Sequence, residues 1–179
     1  MSDFDLELIQ RFRSGETEAF ERLVKRWSHR ILNVAFRLLG DLEEARDIRQ
    51  EACLRLYRAL DGYSGRASFS TWLHQIVLNL CRDQIRRRQS RRRALEQIDS
   101  RPDFSSDPQE TERAEQWRRV AAALRELPDS EREVVVLRHY QGLRFIEIAE
   151  ILETPITTIQ SRLQRAFGRL RAHLETIDQ

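Results

Sequence analysis

The stretch SFSTWLHQIVLNLCRDQIRRRQSRRR, residues 68–93, predicts one long helix with an apolar beginning and a strongly basic end. Its apolar side chains recur at helical spacing, and its polar side chains share the opposite face at i, i+4, i+7, i+8 and i+11. The apolar stripe comprises Phe69, Trp72, Leu73, Ile76, Leu80 and Ile85, and the polar face comprises Gln75, Asn79, Arg82, Asp83 and Arg86. Such a helix buries one face and offers the other to something polar and anionic.

Charge is strongly segregated around this helix, although the net charge of the chain is only +2. Between residues 82 and 93 seven arginines face one acid, Asp83, whereas acids outnumber bases between residues 99 and 115. A block of like charge is either a solvated face or an electrostatic footprint for nucleic acid, and composition alone leaves both open.

Composition favours an intracellular, all-α protein. The 179 residues are 40% hydrophobic and 34% charged, with few glycines and prolines, which favours helices. No apolar run approaches the roughly 18 residues of a membrane span, and the acidic start predicts no secretory signal. Cys53 and Cys81 lie too far apart in sequence for zinc-ligand spacing, and two cysteines make no disulfide framework.

Three helices are expected before the basic one, and a loop separates them from it. Gly40 suits the end of the second helix and Asp41 suits the N-cap of the third. The loop contains DGYSGRAS, residues 61–68. The expected helices are Asp5 to Arg13, Glu16 to Leu39 and Leu42 to Leu60, and Ala45, Ile48, Ala52 and Leu56 of the third face inward.

A linker divides the chain into two small helical domains. The stretch DSRPDFSSDPQETE, residues 99–112, combines prolines, serines and acids without periodicity. The predicted units are residues 1–90, a flexible linker at 91–112, and residues 113–179. In the second domain helices are expected at Thr111 to Leu127, Glu131 to Tyr140, Arg144 to Leu152 and Pro155 to Leu174. Asp129 or Ser130 is the expected cap of the second of these, with Glu133 completing a capping box.

The stretch FIEIAEILETPITTIQSRLQRAFGRLRAHL, residues 145–174, has the spacing of a helix-turn-helix. Ala149 supplies the small residue where the helices touch, and Ile159 packs back from the second helix. Glu153 stands where the turn usually has glycine, so a left-handed conformation there costs on the order of 1 kcal/mol. Thr154 is the expected N-cap and Pro155 the first helical residue. Ile159, Leu163, Phe167, Leu170 and Leu174 are expected to face inward.

The second helix of this unit leaves short polar residues and arginines near its exposed N-terminal side. Such residues can read base edges and bind phosphates in a major groove. The alternative is an ordinary helical hairpin with a solvated face. The residues concerned are Thr157, Thr158, Gln160, Ser161, Arg162 and Arg165.

Together the two halves resemble sigma factors of the sigma-70 family, specifically the small extracytoplasmic function (ECF) group. In the first half the resemblance rests on DLEEARDIRQEACLRLYRAL (residues 41–60) and SGRASFSTWLHQIVLNLCRDQIRRR (64–88). In the second it rests on LPDSEREVVVLRHYQGLRFIEIAEILETPITTIQSRLQRAFGRLRAHL (127–174). The resemblance implies a sigma region 2 helical bundle at residues 5–90 and a region 4 with the helix-turn-helix at 113–176.

The resemblance also implies roles for the opening helix and its preceding loop, which in this family meet the promoter −10 element as the duplex opens. A flipped base would enter the loop, and the helix would contact the upstream edge of the element. Asp83 either accepts from a cytosine or pairs with Arg86 or Arg87, and Trp72, like Phe69, is either core or a stacking platform. The implied −10 residues are Tyr63, Ser64, Gly65, Arg66, Ala67, Ser68, Phe69, Trp72, Asn79, Arg82, Asp83 and Arg86.

Two further surfaces follow from the resemblance. The segment DIRQE, residues 47–51, matches the part that binds the clamp helices of core RNA polymerase, which assigns that contact to Asp47, Gln50 and Glu51. The polar residues of the last helix, 157–165, would read the −35 element. Arg49 and Gln160 depart from the usual residue types. The basic residues Arg169, Arg171 and His173 are either solvated or contact phosphates or the polymerase flap.

The expected function is therefore an alternative sigma factor that binds core polymerase and promoter DNA in the cytoplasm. No enzymatic activity, cofactor, metal, small-molecule substrate or membrane insertion is expected, because no Gly-rich phosphate loop, metal cluster or nucleophile–base pair occurs in the sequence. An anti-sigma factor, often attached to the membrane in this group, is an expected partner. The alternative is a stand-alone helix-turn-helix regulator that binds a palindrome as a dimer.

Overall fold

The computed structural model describes residues 3–95 and 120–177, and this described part is helical throughout its regular structure. The all-α prediction is confirmed. The first half contains α1 (Asp3–Arg13), α2 (Thr17–Leu39), α3 (Leu42–Ala59), a 3₁₀ turn (Leu60–Gly62) and α4 (Phe69–Leu95). The second half contains α5, described over 120–125, α6 (Asp129–Val135), a π-helical turn (Val136–Tyr140), α7 (Phe145–Leu152) and α8 (Ile156–Ile177).

The predicted linker lies mostly outside the described residues. Residues 91–95, expected as its beginning, instead continue α4 as regular helix. Residues 96–112 of the linker and the first part of the helix predicted from Thr111 fall in the undescribed range.

The first half is a four-helix bundle whose core takes side chains from α1 to α4. Trp27 of α2 lies at its centre, with its ring edge-on to Phe69 of α4 at a centroid distance of 5.6 Å. Its indole nitrogen donates to the buried Asp5 carboxylate at 3.2 Å, and Arg26 pairs with the same carboxylate at 2.9 Å. The buried polar groups are thereby satisfied, which burial of an indole N–H and a carboxylate requires.

The junction between α2 and α3 follows the sequence prediction. Gly40 adopts a left-handed conformation with φ 73°, and the Asp41 carboxylate accepts from the Glu44 backbone N–H at 2.9 Å. Gly40 has a second reason to be glycine. A Cβ there would lie 2.6 Å from Cδ of Arg125, in the second half of the chain. The halves therefore approach each other closely at this corner.

The start of α6 differs from its prediction. The expected capping box with Asp129 or Ser130 is not formed, because α6 begins directly after Pro128, whose carbonyl accepts from the N–H groups of Glu131 and Arg132 at 2.9 Å. The Glu133 carboxylate points to α4 instead of to its own helix end. A capping interaction of this kind occurs at α7, where Glu147 accepts from the Arg144 N–H at 2.7 Å.

The helix-turn-helix consists of α7 and α8. Its turn contains a residue in the left-handed conformation, at the position where the sequence has Glu153 instead of the usual glycine. Glu153 has φ 50° and ψ 44°, which for a non-glycine residue costs roughly 1–2 kcal/mol. The start of α8 is one residue later than predicted. The Pro155 carbonyl accepts the first helical N–H groups, and the Thr154 hydroxyl donates to the Leu152 carbonyl instead of capping.

One inward prediction in α8 is wrong. Phe167 is 48% exposed, and Ala166 occupies the core position beside it. Buried or half-buried positions run 159, 163, 166 and 170, a spacing close to the helical period. Phe167 lies one residue, and so about 100°, off that stripe. The side chain of Leu174 is outside the described set.

The two halves pack directly against each other. Helix α4 contacts α7, and the end of α2 contacts α6 and the π-helical turn. Arg132 reaches across to donate to the Leu38 carbonyl at 2.9 Å, and the Arg37 guanidinium lies 4.1 Å from the ring centroid of Tyr140. A hydrogen bond and a cation–π contact therefore join the end of α2 to α6 and to the π-helical turn, which are far apart in sequence.

Candidate promoter and polymerase interfaces

The loop before α4 is held by hydrogen bonds from α1 and is exposed at its tip. Arg13 of α1 donates to the carbonyls of Leu60 at 2.8 Å and Tyr63 at 2.5 Å. The Tyr63 hydroxyl donates to the Ala67 carbonyl at 2.7 Å, which closes the loop. The exposed tip consists of Ser64, Gly65 and Arg66, with Gly65 left-handed at φ 73°, whereas Ala67 and Ser68 are half-buried.

The aromatic residues at this loop divide between support and surface. Phe69 is 1% exposed, so it takes the core position, one of the two options that the sequence left open, and Tyr63 is 6% exposed. Both rings pack on the buried side of the loop. The Ser68 hydroxyl accepts from the Thr71 N–H at 3.0 Å and so caps α4, which turns Phe69 into the core. Trp72 is half-buried and packs on Tyr63 at 5.0 Å, so part of its ring remains accessible.

The polar face of α4 is partly covered by the second half of the chain. Arg82 donates through Nε and Nη2 to both carboxylate oxygens of Glu133, at 2.7 and 2.8 Å, and these hydrogen bonds raise the pKa of the Arg82 guanidinium. Gln75 donates to the Glu150 carbonyl at 3.2 Å. Asp83 pairs with Arg86, one of the two options left open by the sequence, and Asn79 is exposed.

Helix α3 presents the residues predicted to bind polymerase. Asp47 and Gln50 are exposed, Ile48 is buried beneath them, and Glu51 pairs with Arg55 at 2.9 Å. The sequence prediction omitted two neighbours on the same face, Leu54 and Tyr57, which are 52% and 51% exposed. They follow Asp47 at i+7 and i+10 and so lie on the same helical face, outside the buried stripe. A large apolar side chain outside the buried stripe is the sequence signal that could have identified them.

Tyr57 belongs to a small aromatic cluster on the outer surface of the bundle. Its ring packs edge-on against Phe12 of α1 at 5.5 Å and Phe20 of α2 at 5.1 Å. The cluster fixes the ring while half of it stays accessible, which suits a contact residue, since little side-chain entropy remains to be lost on binding.

Helix α8 displays its predicted DNA-reading residues with different degrees of exposure. Thr157 and Gln160 are exposed, whereas Thr158, Ser161 and Arg162 are half-buried. Arg165 is exposed but lies 3.4 Å from the carboxylate of buried Glu131, and Arg169 lies 3.2 Å from the same carboxylate. Gln164, which the sequence prediction omitted, is exposed one turn after Gln160 and extends the polar face.

Burial affects both cysteine thiols in the same direction. Cys81 is buried in α4, and burial together with the nearby carboxylates of Glu133 and Glu44 raises the pKa of its thiol. Burial also raises the pKa of half-buried Cys53. Among the described residues no group of His, Cys, Asp and Glu side chains could bind a metal ion, and no helix there is both long and apolar enough to span a bilayer.

Comparisons with known proteins match both halves. The family models for sigma-70 region 2 and sigma-70 region 4 match residues 23–91 and 117–170. The chain belongs to the sigma-70 family. Within that family it groups with ECF sigma factors: it is 31% identical over 191 residues to the ECF RNA polymerase sigma factor SigW of Bacillus subtilis, covering 94% of this chain and 96% of the relative.

Other sigma-70 relatives are equally similar. The RNA polymerase sigma-H factor of Pseudomonas aeruginosa is 31% identical over 172 residues, covering 90% of this chain and 89% of the relative. The ECF sigma-E factor of Escherichia coli K12 is 31% identical over 175 residues, covering 90% of each. Among solved structures, CnrH in complex with the cytosolic domain of CnrY superposes with a TM-score of 0.75 at 25% identity, covering 97% of this chain and 98% of that chain.

A second solved structure shares the fold. The sigma factor RpoE of Bartonella quintana, in complex with the anti-sigma factor NepR, superposes with a TM-score of 0.71 at 22% identity. That match covers 87% of this chain and 96% of RpoE. The two helical domains of this sigma-70 family member are thus found together in known structures of the same fold.

Proposed function

We propose that the chain is an alternative sigma subunit that directs bacterial core RNA polymerase to promoters. The observation that carries this function is the presence of region 2 and region 4, in that order, in one chain that covers about nine-tenths of its sigma-factor relatives. The stand-alone regulator is not favoured, because it gives no role to the region 2 match at residues 23–91. Sigma factors direct transcription without catalysing it, so no enzymatic activity is proposed.

The −10 element is assigned to the loop tip and to α4. Ser64, Gly65 and Arg66 are exposed at the loop tip, and half-buried Trp72 packs on Tyr63 of the same loop, so the loop offers polar groups and an aromatic ring to an unstacked base. Asn79, Arg82 and Arg86 lie further along α4 and supply hydrogen bonds and positive charge for the upstream edge. Tyr63 and Phe69 act indirectly, since they shape the loop from its buried side.

The −35 element is assigned to the first turns of α8. A helix-turn-helix inserts the N-terminal residues of its second helix into the major groove, where Thr157, Gln160 and Gln164 are exposed at successive turns. Ser161, Arg162 and Thr158 flank this row. Arg165 and Arg169 are assigned a secondary role, because both already pair with Glu131.

Core polymerase is assigned to the exposed face of α3. The acidic and polar residues Asp47, Gln50 and Glu51 lead into the apolar pair Leu54 and Tyr57 on one continuous helical face. This combination matches the usual anatomy of protein interfaces, in which a buried apolar or aromatic anchor is bordered by polar groups. The partner surface is the clamp helices, and the flap is the expected partner of region 4.

An anti-sigma factor is the proposed regulatory partner, and the cytoplasm the proposed location. Support comes from the solved relative RpoE, which is in complex with the anti-sigma factor NepR. The assignment is supported further by the close packing of the two halves, since one protein partner can contact both domains at once.

Transcription of fragmented genomic DNA by core polymerase, with and without the purified chain, tests the proposed function. Mapping of the 5′ ends is expected to reveal new start sites preceded by two shared sequence elements at −35 and −10. Duplex binding without polymerase, combined with the absence of new start sites, would contradict the sigma role and favour the stand-alone regulator.

A further inference from the structure

Three consecutive charged residues of α6 are buried at the junction of the two halves. Glu131, Arg132 and Glu133 are only 4%, 8% and 7% exposed, although charged side chains are rarely buried without partners. Each points to a different helix. We call these three residues the α6 lock.

Glu133 binds the side chain that we assign to promoter contact. Both of its oxygens accept from Arg82, through Nε at 2.7 Å and Nη2 at 2.8 Å, in the two-bond geometry with which arginine also binds a phosphate. Arg82 is about one-third exposed, and these two donor positions are occupied. Two of the five guanidinium N–H groups are therefore unavailable to DNA while Glu133 is in place.

Arg132 joins region 4 to the end of α2. Its guanidinium donates to the Leu38 carbonyl at 2.9 Å, and to the carbonyls of Leu124 and Leu127 at 2.8 Å each, while Asp129 pairs with it at 3.2 Å. A cation at a helix C-terminus also interacts favourably with the helix dipole. Arg132 thus fixes α6 against α2 at the position where Glu133 faces α4.

Glu131 extends the same arrangement to the second DNA-reading helix. Its carboxylate lies 3.4 Å from Nε of Arg165 and 3.2 Å from Nε of Arg169, both on α8. One helical turn therefore pairs with arginines from the helices assigned to the −10 and the −35 elements.

We propose that the α6 lock is an autoinhibitory contact in which Glu133 replaces the DNA backbone as the partner of Arg82. In the closed arrangement region 4 covers the polar face of α4. Promoter binding requires the Arg82–Glu133 pair to separate, after which Arg82 exchanges a carboxylate for a phosphate. This inference rests on the function proposed above and adds to it a switch within the chain.

The exchange is energetically feasible because the two partners of Arg82 are chemically similar. A carboxylate and a phosphate oxygen both form charge-assisted hydrogen bonds with the guanidinium. The closed state lowers the apparent DNA affinity by the fraction of molecules that are open. Removal of the Glu133 charge is therefore expected to increase DNA affinity, although Glu133 itself belongs to the other domain.

The test uses the full chain without polymerase and measures two quantities. Small-angle X-ray scattering gives the radius of gyration, and fluorescence anisotropy gives the affinity for a labelled single-stranded DNA of about 20 nucleotides. The variants are E133Q, R82Q and the charge reversal R82E/E133R. The matched control is E150Q, which removes the same charge from an exposed side chain on α7.

E133Q is expected to raise the radius of gyration by roughly a fifth, because two separated domains are less compact than two packed ones. It is also expected to bind the DNA about tenfold more tightly, the change that follows from a tenfold larger open fraction. R82Q is expected to expand equally without tighter binding, since it loses the DNA contact. The charge reversal is expected to restore the compact shape, and E150Q to resemble wild type.

Two results would overturn the proposal. The first is an unchanged radius of gyration in both E133Q and R82Q, which would mean that the pair does not hold the domains together. The second is expansion of E133Q with unchanged DNA affinity, which would mean that Arg82 is not masked. Failure of the sigma role itself is distinguished separately, because it abolishes promoter-specific transcription by wild type while leaving the scattering result intact.

Discussion

The polar faces of α4 and α8 were predicted from the same sequence signal and differ in the structure. Both are rows of polar residues and arginines opposite an apolar stripe. On α8 the row Thr157, Gln160 and Gln164 is exposed, whereas on α4 Gln75 and Arg82 bind residues of the other half. Helical periodicity identifies the face that packs within its own domain, but a polar face can meet solvent, DNA or another domain equally well.

Replacement of Arg132 is expected to have the largest effect on stability, because this side chain fixes the second half of the chain against the end of α2. Arg132→Ala leaves the buried carbonyls of Leu38, Leu124 and Leu127 without this donor, which is expected to lower the free energy of unfolding by about 3 kcal/mol. Urea denaturation measures the loss. The control Arg171→Ala, on an exposed side chain, is expected to change stability by less than about 0.5 kcal/mol.

The face of α3 is a third polar surface to compare, and on it Asp47 and Gln50 are exposed among the residues that the structure describes. Simultaneous replacement of Asp47, Gln50 and Glu51 by Ala, or of Tyr57 alone, is expected to weaken binding to core polymerase by about tenfold or more. Competition for core against a labelled sigma factor measures this effect. Wild-type affinity in both variants, with circular dichroism unchanged, would contradict the α3 assignment.

One substitution in each of α4 and α8 distinguishes the roles proposed for the two helices. Arg162→Ala is expected to weaken transcription from promoters that depend on the −35 element by about tenfold, as one lost base or phosphate contact does. Arg82→Gln is expected to act mainly through the −10 element. Run-off transcription from templates with one element exchanged measures both. Equal losses on both template sets would argue against distinct roles for α4 and α8.

The turn before α8 gives the smallest expected effect. Glu153→Gly relieves the left-handed conformation at φ 50° and is expected to stabilise the protein by about 1 kcal/mol, less the added entropy of the unfolded chain. Glu150→Gly, three residues earlier in α7, is expected to destabilise it by about 1 kcal/mol. Thermal melts of the two variants should move in opposite directions. A shift of both to lower temperature would show that the Glu153 backbone is unstrained.

Local chemistry was predicted well where it depends on neighbours in sequence. The Gly40 C-terminus and the Asp41 cap are set by interactions within a few residues, so residue type was sufficient. The left-handed conformation of Glu153 follows from its place in the helix-turn-helix and not from its residue type. Predictions were wrong where a distant partner competed. Glu133 was expected to cap α6 and instead binds Arg82, because a charged hydrogen bond with two contacts outweighs a helix-end contact.

The candidate-site residues were also predicted unequally, some lying on exposed faces as expected and others not. Asp47, Gln50, Thr157 and Gln160 lie on exposed faces as their periodicity predicted. Phe69 and Tyr63 were assigned to the −10 site by the resemblance, and the core of the bundle takes up both rings, as the place of Phe69 in the apolar stripe already allowed. Leu54, Tyr57 and Gln164 were missed, because their significance depends on exposure next to a predicted surface.

The sequence by itself determined the helical class, the two-region plan and the family, because periodicity, turn residues and motif order are properties of the linear chain. Only the tertiary structure decided which polar face is open and which is covered. That choice depends on contacts such as Arg82 with Glu133 and Arg132 with Leu38, separated by 51 and 94 residues. The physical reason is that the residue type of a charged side chain does not specify which distant group it will pair with. The pairing emerges only when packed helices bring the two groups within hydrogen-bond distance.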